Sequence, residues 1–355
     1  MSNSGFQNSD LAVSNVFRTS FVLKLISIIM VLSIMFSALL IGVVPISSIG
    51  ILYEILNILP LVTLESELTE MELVILWQWR FPRVILAFFV GASLAVSGAG
   101  FQGIFRNPLA DPFLLGAAAG AGLGATFAMV SKIEFVFFNF DLVSFGAFGG
   151  ALGATCLAVF VGRAAGNAPA ALLLAGVATA AFLTACQTYI MQRNLMSLQE
   201  IYGWLIGRLS TSGWNEILVI APYSVVGFFI LFLHRRELDL LRLSEEEALS
   251  LGGHPKRTRI IIIIACALLT AISVSVSGLI AFVGIIVPHL IRLSFGYSYR
   301  LIIPLSILMG GGFLVLADIF ARVLVAPAEL PIGVITAFLG APFFALILIL
   351  SRGKI

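Results

Sequence analysis

RFPRVILAFFVGASLAVSGAGFQGIFRNPLADPFLLGAAAGAGLGA, Arg80 to Ala125, decides how the chain is read. The span Val84 to Phe105 carries no charge and is long enough to cross a bilayer as a helix, which takes about 20 apolar residues. Two arginines and a proline precede it in RFPR. A charged, proline-bearing turn, RNPLADP (Arg106 to Pro112), follows it, and a second apolar run returns from Phe113 to Val130. The pattern is a helical hairpin in a membrane with polar punctuation at both ends.

Composition points the same way. The 355 residues are 60% hydrophobic and 11% charged, against about 25% charged in a soluble domain. So little charge cannot cover a surface facing water. A mean hydropathy of +1.11 agrees that the solvent is lipid. The expected fold is all-α and polytopic, since helices satisfy their own backbone groups in hydrocarbon. About ten spans are expected, near 23–44, 82–104, 113–131, 142–162, 170–191, 215–233, 259–278, 281–295, 302–322 and 331–351, in one transmembrane domain over 1–355. The uncharged run Leu25 to Tyr53 is too long for a signal-peptide core. It reads as a retained first span behind a cytoplasmic tail, 1–20. Ten spans then place the C-terminus in the cytoplasm as well. Fourteen of the twenty Lys and Arg fall on the cytoplasmic side of this arrangement, the bias known for membrane proteins.

Gly116, Gly120 and Gly124 form a four-residue ladder, as do Gly146 with Gly150 and Gly149 with Gly153. Such ladders let helices approach closely in lipid. Cys156, Cys186 and Cys266 lie in apolar runs without CxxC spacing and read as packing residues. No GxxxxGK[ST] occurs, so the chain has no nucleotide loop of this type. Ser97-Gly98 precedes Pro108 at the interval by which Ser277-Gly278 precedes Pro288, which suggests an inverted repeat.

The longest cytoplasmic segment is His234 to Arg259. Ser244 with Glu247 three residues on is a capping box, so a short helix is expected over Glu245 to Leu251, ended by Gly252-Gly253 with Pro255 beyond. It reads as a solvated loop or as a docking element within 240–258.

Arg80 and Arg83 oppose the charge bias and crowd the expected N-terminus of a helix, where the macrodipole is already positive. Something negative should meet them: lipid phosphate, Glu70 or Glu72, or an acidic partner. Asp318 lies in an apolar run, where ionisable groups are costly, and Arg322 at i+4 is its simplest partner. Asn107 and Leu109 sit on the proline-constrained turn, and Gln102 lies one helical turn before it. His289, after Pro288, reads as a structural hydrogen-bonding residue rather than a haem ligand; His234 and His254 read as loop residues.

The Arg80–Ala125 stretch resembles the FecCD family of permeases, the membrane subunits of type II ABC importers for iron–siderophores, haem and cobalamin. GLIAFVGIIVPHLIRL (Gly278 to Leu293), ADIFAR (Ala317 to Arg322) and ELPIGVITAFLGAPFF (Glu329 to Phe344) resemble the family's C-terminal half. The resemblance implies the BtuC-like fold and a non-catalytic permease in a bacterial cytoplasmic membrane, paired with itself or a paralogue. Two separate ATP-binding subunits would hold ATP and Mg, and a periplasmic or lipid-anchored protein would deliver the cargo. A ferric siderophore is the expected cargo, with haem or cobalamin as alternatives. By the same resemblance Arg80, Arg83 and Arg322 dock the binding protein. Asn107 and Leu109 form a cytoplasmic gate. Ala248, Leu249, Leu251, Gly252, Gly253 and His254 couple to the ATPase. No cofactor, metal or nucleic acid is expected on this chain. An ion-driven secondary transporter would call for several intramembrane carboxylates, and an intramembrane enzyme for HExxH, GxSxG or paired aspartates. The sequence offers Asp318 alone.

Overall fold

A computed structural model describes residues 22–350, apart from 23, 60–63, 134, 138, 167 and 210–212. The expected tail 1–20, with Arg18, and Arg352 and Lys354 lie outside the described residues. The fold is helical, with one two-residue hairpin, β1 (Val136–Phe137) against β2 (Phe140–Asp141). Among the described residues six helices are long and apolar enough to cross a membrane. They are the run Glu70–Phe105, α6 (Leu142–Ala164), α7 (Pro169–Arg193), α9 (Trp214–Leu233), α12 (Pro255–Ser277) and α14 (Tyr299–Val323). Shorter apolar helices occupy the remaining expected positions: α1 (Lys24–Leu40), α5 (Ala117–Ser131), α13 (Val283–Phe295) and α15 (Ile332–Leu350). Helices α2 (Ser48–Leu56), α8 (Leu198–Leu205), α10 (Arg235–Leu240) and α11 (Glu245–Ser250) lie between them.

The helix entered by RFPR begins earlier than the charge pattern suggested. Helix α3 (Glu70–Val74) runs through a π-helical turn, Ile75–Arg80, into α4 (Phe81–Phe105) without a break. The true N-terminus is at Glu70. There Thr69 and Glu72 form a capping box, with Glu72 accepting from the Thr69 backbone N–H at 2.8 Å. Arg80 and Arg83 therefore lie inside a helical run, not on an uncapped dipole. The wider π turn lies immediately ahead of Pro82, whose missing N–H would interrupt a regular ladder.

Helix α4 is the axis of the molecule. Every residue from Val90 to Phe105 is buried, and α14, α12, α13 and α9 pack around it. Burial here is apolar but not purely so. The Ser97 hydroxyl donates to the Cys266 carbonyl at 3.0 Å and meets Thr270 Oγ1 at 2.7 Å, and Ser93 meets Ser224 at 2.9 Å. These bonds tie α4 to α12 and α9, since lipid-excluded hydroxyls have no water to turn to. Helix α14 runs antiparallel to α4 and approaches it where Gly310 meets Gly91 and Ala95. Twenty-five residues carry α4 about 37 Å, so its two ends lie at opposite faces of a bilayer.

Two interruptions break the helices: the turn 106–116 between α4 and α5, exposed at Arg106 to Pro108 and largely buried from Ala110 inward, and the bend 278–282 between α12 and α13. Helix α13 has only 13 residues, about 20 Å, short of the roughly 30 Å hydrocarbon core. Irregular backbone is tolerated at such depth only where protein covers it, and Gly278 through Ile280 are largely buried. The dipeptides suggesting an inverted repeat adopt unlike conformations. Gly98 is helical inside α4, whereas Gly278 ends α12 at φ 69°; Pro108 lies in a turn, whereas Pro288 lies inside α13. The sequence match is not matched locally in structure.

The glycine ladders divide. On α5 and α6 the carbonyl of Gly150 occupies the space a Cβ on Gly120 would need, and that of Gly146 does so for Gly124. Gly116 is instead the left-handed N-cap of α5 at φ 79°. Gly149 and Gly153 have no neighbour within 4 Å of an added Cβ, so this pair is not a contact ladder within the chain. Opposite signs follow. Gly124→Ala forces two backbones apart and destabilises the protein by about 1–3 kcal/mol, read as a lower thermal unfolding midpoint in detergent. Gly149→Ala meets nothing and raises helix stability by about 0.5–1 kcal/mol.

Candidate functional site

The residues singled out in sequence gather at the two ends of the α4–α14 pair. At one end Asp318, 1% exposed, is shared by two guanidiniums. Arg83 reaches it from Nη2 at 2.8 Å and from Nε at 3.0 Å; Arg322, one turn along α14, reaches it from Nε at 3.1 Å. Arg83 also donates from Nη1 to both Glu329 oxygens, at 2.9 and 3.0 Å. The expected Asp318–Arg322 pair is present, but the shorter contact is to Arg83. Glu70 and Glu72 do not serve as its partners; Glu72 is occupied by the Thr69 cap.

Arg80 and Arg322 have a second task. Helix α1 ends at Leu40, and its last carbonyls have no helical partners. Arg80 donates to Leu39 O at 2.6 Å, to Leu40 O at 3.2 Å and to Val44 O. Arg322 donates to Ala38 O at 3.0 Å and Ile41 O at 2.9 Å. Two cations thus meet the negative end of a helix dipole. Of the three arginines that the resemblance assigns to binding-protein docking, Arg80 and Arg322 are 6% and 7% exposed and bound to the chain's own carbonyls. Within this cluster the Arg322 Nη2 atom is buried without a hydrogen-bond partner. Three cations against two carboxylates leave the cluster one unit positive. A cavity of about 200 Å³ opens beside it, lined by Arg83, Asp318, Glu329 and the exposed Arg208. Sequence reading gave Arg208 no role, since nothing in its local spacing ties it to Arg83.

At the opposite end the turn after α4 is built from short-range bonds. Arg106 ends the helix at φ 50° and donates through Nε to Leu241 O at 2.6 Å. Asn107 Oδ1 accepts from the Leu109 N–H at 2.9 Å and its carbonyl from Ala110 N at 3.1 Å, so Asn107 holds Leu109 in place. Asn107 is exposed and Leu109 half-buried. Gln102, one turn ahead of that bend, is held by the protein's own groups. It is 3% exposed; its amide donates to Gly284 O at 3.0 Å and Ala110 O at 3.3 Å, and it accepts from Arg292. It therefore clamps the first interruption to the start of α13. Arg292, also buried, donates to Tyr299 Oη at 3.2 Å. His289 lacks the expected hydrogen bond: Nδ1 is buried and unpartnered, with the ring 6.2 Å from Phe343.

Beside this end stands α11. Glu247 accepts from the Ser244 N–H at 3.0 Å and Oγ at 2.9 Å, which holds its carboxyl below the ordinary range. The helix closes at Ser250, one residue before expectation. Gly252 takes φ 77°, open to glycine at little cost, and the Gly253 N–H returns to Ala248 O at 2.9 Å. Ala248 is buried beneath, while Leu249 and Leu251 stand 53% and 57% exposed and His254 is exposed. Among the described residues no His, Cys, Asp and Glu group has metal-binding geometry.

The comparisons now decide the family. The model of the FecCD transport family matches residues 25–350. The chain belongs to the FecCD transport family. The cobalamin import permease BtuC of Halobacterium salinarum is 39% identical over 306 residues, covering 86% of this chain and 81% of that one. The hemin transport permease HmuU of Yersinia pestis is 38% identical over 278 residues, covering 77% and 82%. A solved structure assigned as a metal-chelate type ABC transporter, in an inward-facing conformation, matches with a TM-score of 0.78 at 28% identity. That match covers 92% of this chain and 98% of the other. This FecCD chain is thus a multi-pass membrane protein with the fold of an ABC transporter permease.

Two measurements test the ends. Asp318→Asn strips two buried arginines of their shared charge and costs about 3 kcal/mol in detergent unfolding. Glu329→Gln, at the one-third exposed contact, costs under about 1 kcal/mol. In the turn, burial pushes Asp111 up to about 6, although its Oδ1 accepts the Phe113 N–H at 2.7 Å. The folded carboxyl therefore holds its proton better than the unfolded one, and stability is lost as pH rises from about 4 through 6. Asp111→Asn keeps the acceptor, so its unfolding midpoint exceeds wild type at pH 7.5 and the gain disappears near pH 4.

Proposed function

We propose that this FecCD chain is one of two permease subunits of an ATP-driven importer in a bacterial cytoplasmic membrane, and that its cargo is a ferric chelate, in the first place a ferric siderophore. The observation that carries the reading is the end-to-end arrangement. One antiparallel helix pair joins a net-positive cluster at one face to a capped element with an apolar tip at the other.

At the outer face the binding protein brings acidic side chains. Arg83, with two carboxylates already in place, and the exposed Arg208 meet them, while Arg80 and Arg322 hold the end of α1 that frames the cluster. Arginine suits this contact because its planar fork pairs with a carboxylate through two bonds. At the inner face Leu249 and Leu251 enter a cleft on the ATPase, with Gly252, Gly253 and His254 forming the turn and Ala248 anchoring it. Asn107 and Leu109 close the pathway on that side: the asparagine amide sets the turn and the leucine supplies the apolar plug. A second copy or a paralogue completes the pathway, and ATP with Mg is bound by the ATPase subunits. Haem or cobalamin is the second reading of the cargo, favoured by the names of the hemin and cobalamin relatives.

Reconstitution in liposomes with the ATPase and binding protein tests the proposal. Chelate-loaded binding protein stimulates ATP hydrolysis and drives accumulation. Leu251→Asp lowers stimulated hydrolysis at least tenfold while binding-protein association persists; Arg83→Glu with Arg208→Glu weakens that association at least tenfold. Uptake driven by a proton or sodium gradient without the ATPase overturns the reading.

A further inference from the structure

A groove of about 380 Å³ lies between α6 and α12, apart from both ends of the α4–α14 pair. Its walls are apolar, among them Leu152, Val159, Phe160, Ile263 and Ile264, with Leu172 of α7 at one edge. Phe160 and Ile264 are 72% and 60% exposed, so the groove opens toward the surrounding lipid. Its mouth is different. Arg163 at the end of α6 and Lys256 and Arg259 in the first turns of α12 converge there, and no acidic residue lines the groove.

Among the described residues none of these three cations has an ion pair, and the Arg259 Nε atom is buried with no hydrogen-bond partner. Lys256 and Arg259 also stand at a helix start, where the dipole repels them and where His254 supplies no side-chain cap. A buried, unpartnered guanidinium nitrogen is costly. All of these features are relieved by one anion carrying an apolar tail. Length agrees: Arg163 to Leu152 along α6, and Lys256 to Ala267 along α12, each span about 17 Å. That is about half the hydrocarbon core, one leaflet deep.

We propose that this groove is a binding site for an anionic phospholipid, its headgroup phosphate held by Arg163, Lys256 and Arg259 and one acyl chain lying along the α6–α12 wall. Basic pockets between membrane helices take such headgroups. Bound there, the lipid fastens the outer pair α6–α7 to α12, and so the periphery to the helix that packs directly on α4. The site does not depend on the cargo or the ATPase.

The test is native mass spectrometry of the delipidated protein titrated with phosphatidylglycerol or with phosphatidylcholine of the same acyl chains. Wild type retains phosphatidylglycerol at least tenfold better. Arg163→Gln/Lys256→Gln/Arg259→Gln removes that preference. Ile264→Trp, which fills the groove and leaves the cations intact, lowers phosphatidylglycerol retention by a similar factor, and it carries the test if the triple variant does not fold. A second readout uses Cys156, which lines the groove and is exposed. In a Cys186→Ser background, maleimide labelling of the delipidated protein is fast, and phosphatidylglycerol slows it whereas phosphatidylcholine does not. Equal retention of both lipids, or full retention in both variants, overturns the proposal. Displacement of the lipid by millimolar inorganic phosphate shows that free phosphate is the ligand and overturns it also. A Cys156 that resists labelling without lipid means that a second copy covers the groove, with the same consequence.

Discussion

A carboxylate placed where water does not reach has to be neutralised by the chain that carries it, and Asp318 is that carboxylate. Its position on α14 draws Arg83 from α4 and Arg322 from its own helix, and Arg83 draws in Glu329 from the segment leading to α15. Removing water strengthens these attractions and makes any unpaired member expensive. The same arginine that answers Asp318 also closes the end of α1, and Arg80 closes it beside Arg322. One face of the molecule is thereby assembled from four separate stretches of chain around a single buried charge.

The opposite face solves a different problem, with a side-chain amide at its centre. Two breaks in helical structure are stacked together, and their exposed backbone groups need partners. Gln102 provides both a donor and an acceptor at the crossing, bridging Ala110, Gly284 and Arg292. Gly98 and Gly284 have no side chains where α4 passes α13, so the backbones can approach closely enough for that bridge. An amide is suited to such a crossing because it satisfies carbonyls without importing a charge. The turn it secures carries Asn107 and Leu109, so a clamp deep in the protein sets a feature at its surface.

Both faces use α4. Helix α4 and its partner α14 form a buried antiparallel strut about 37 Å long. The outer layer of α6 and α7, only 28% and 22% buried in their apolar windows, makes its contacts with α5, α12 and each other and leaves its remaining faces open. Lipid bound in the α6–α12 groove would add to those contacts from outside. Such a peripheral layer can move more readily than the strut.

Sequence alone determined the solvent, the helical class, the positions of the apolar helices and the capped α11, because hydropathy and capping are local and depend on residues within a few positions of one another. It also separated Arg83 and Arg322 from Asn107 and Leu109, which the structure sets at opposite ends of the α4–α14 pair. It did not determine where the arginines point, because Arg80 and Arg83 were read against residues near them in the chain. Their real partners, the α1 carbonyls, Asp318 and Glu329, lie about 40 to 250 positions away. Nor could it tell the Gly120–Gly124 ladder, which meets a backbone, from the Gly149–Gly153 pair, which meets none. Spacing is a property of one helix, whereas contact is a property of two, and only the packed structure brings the second helix into place.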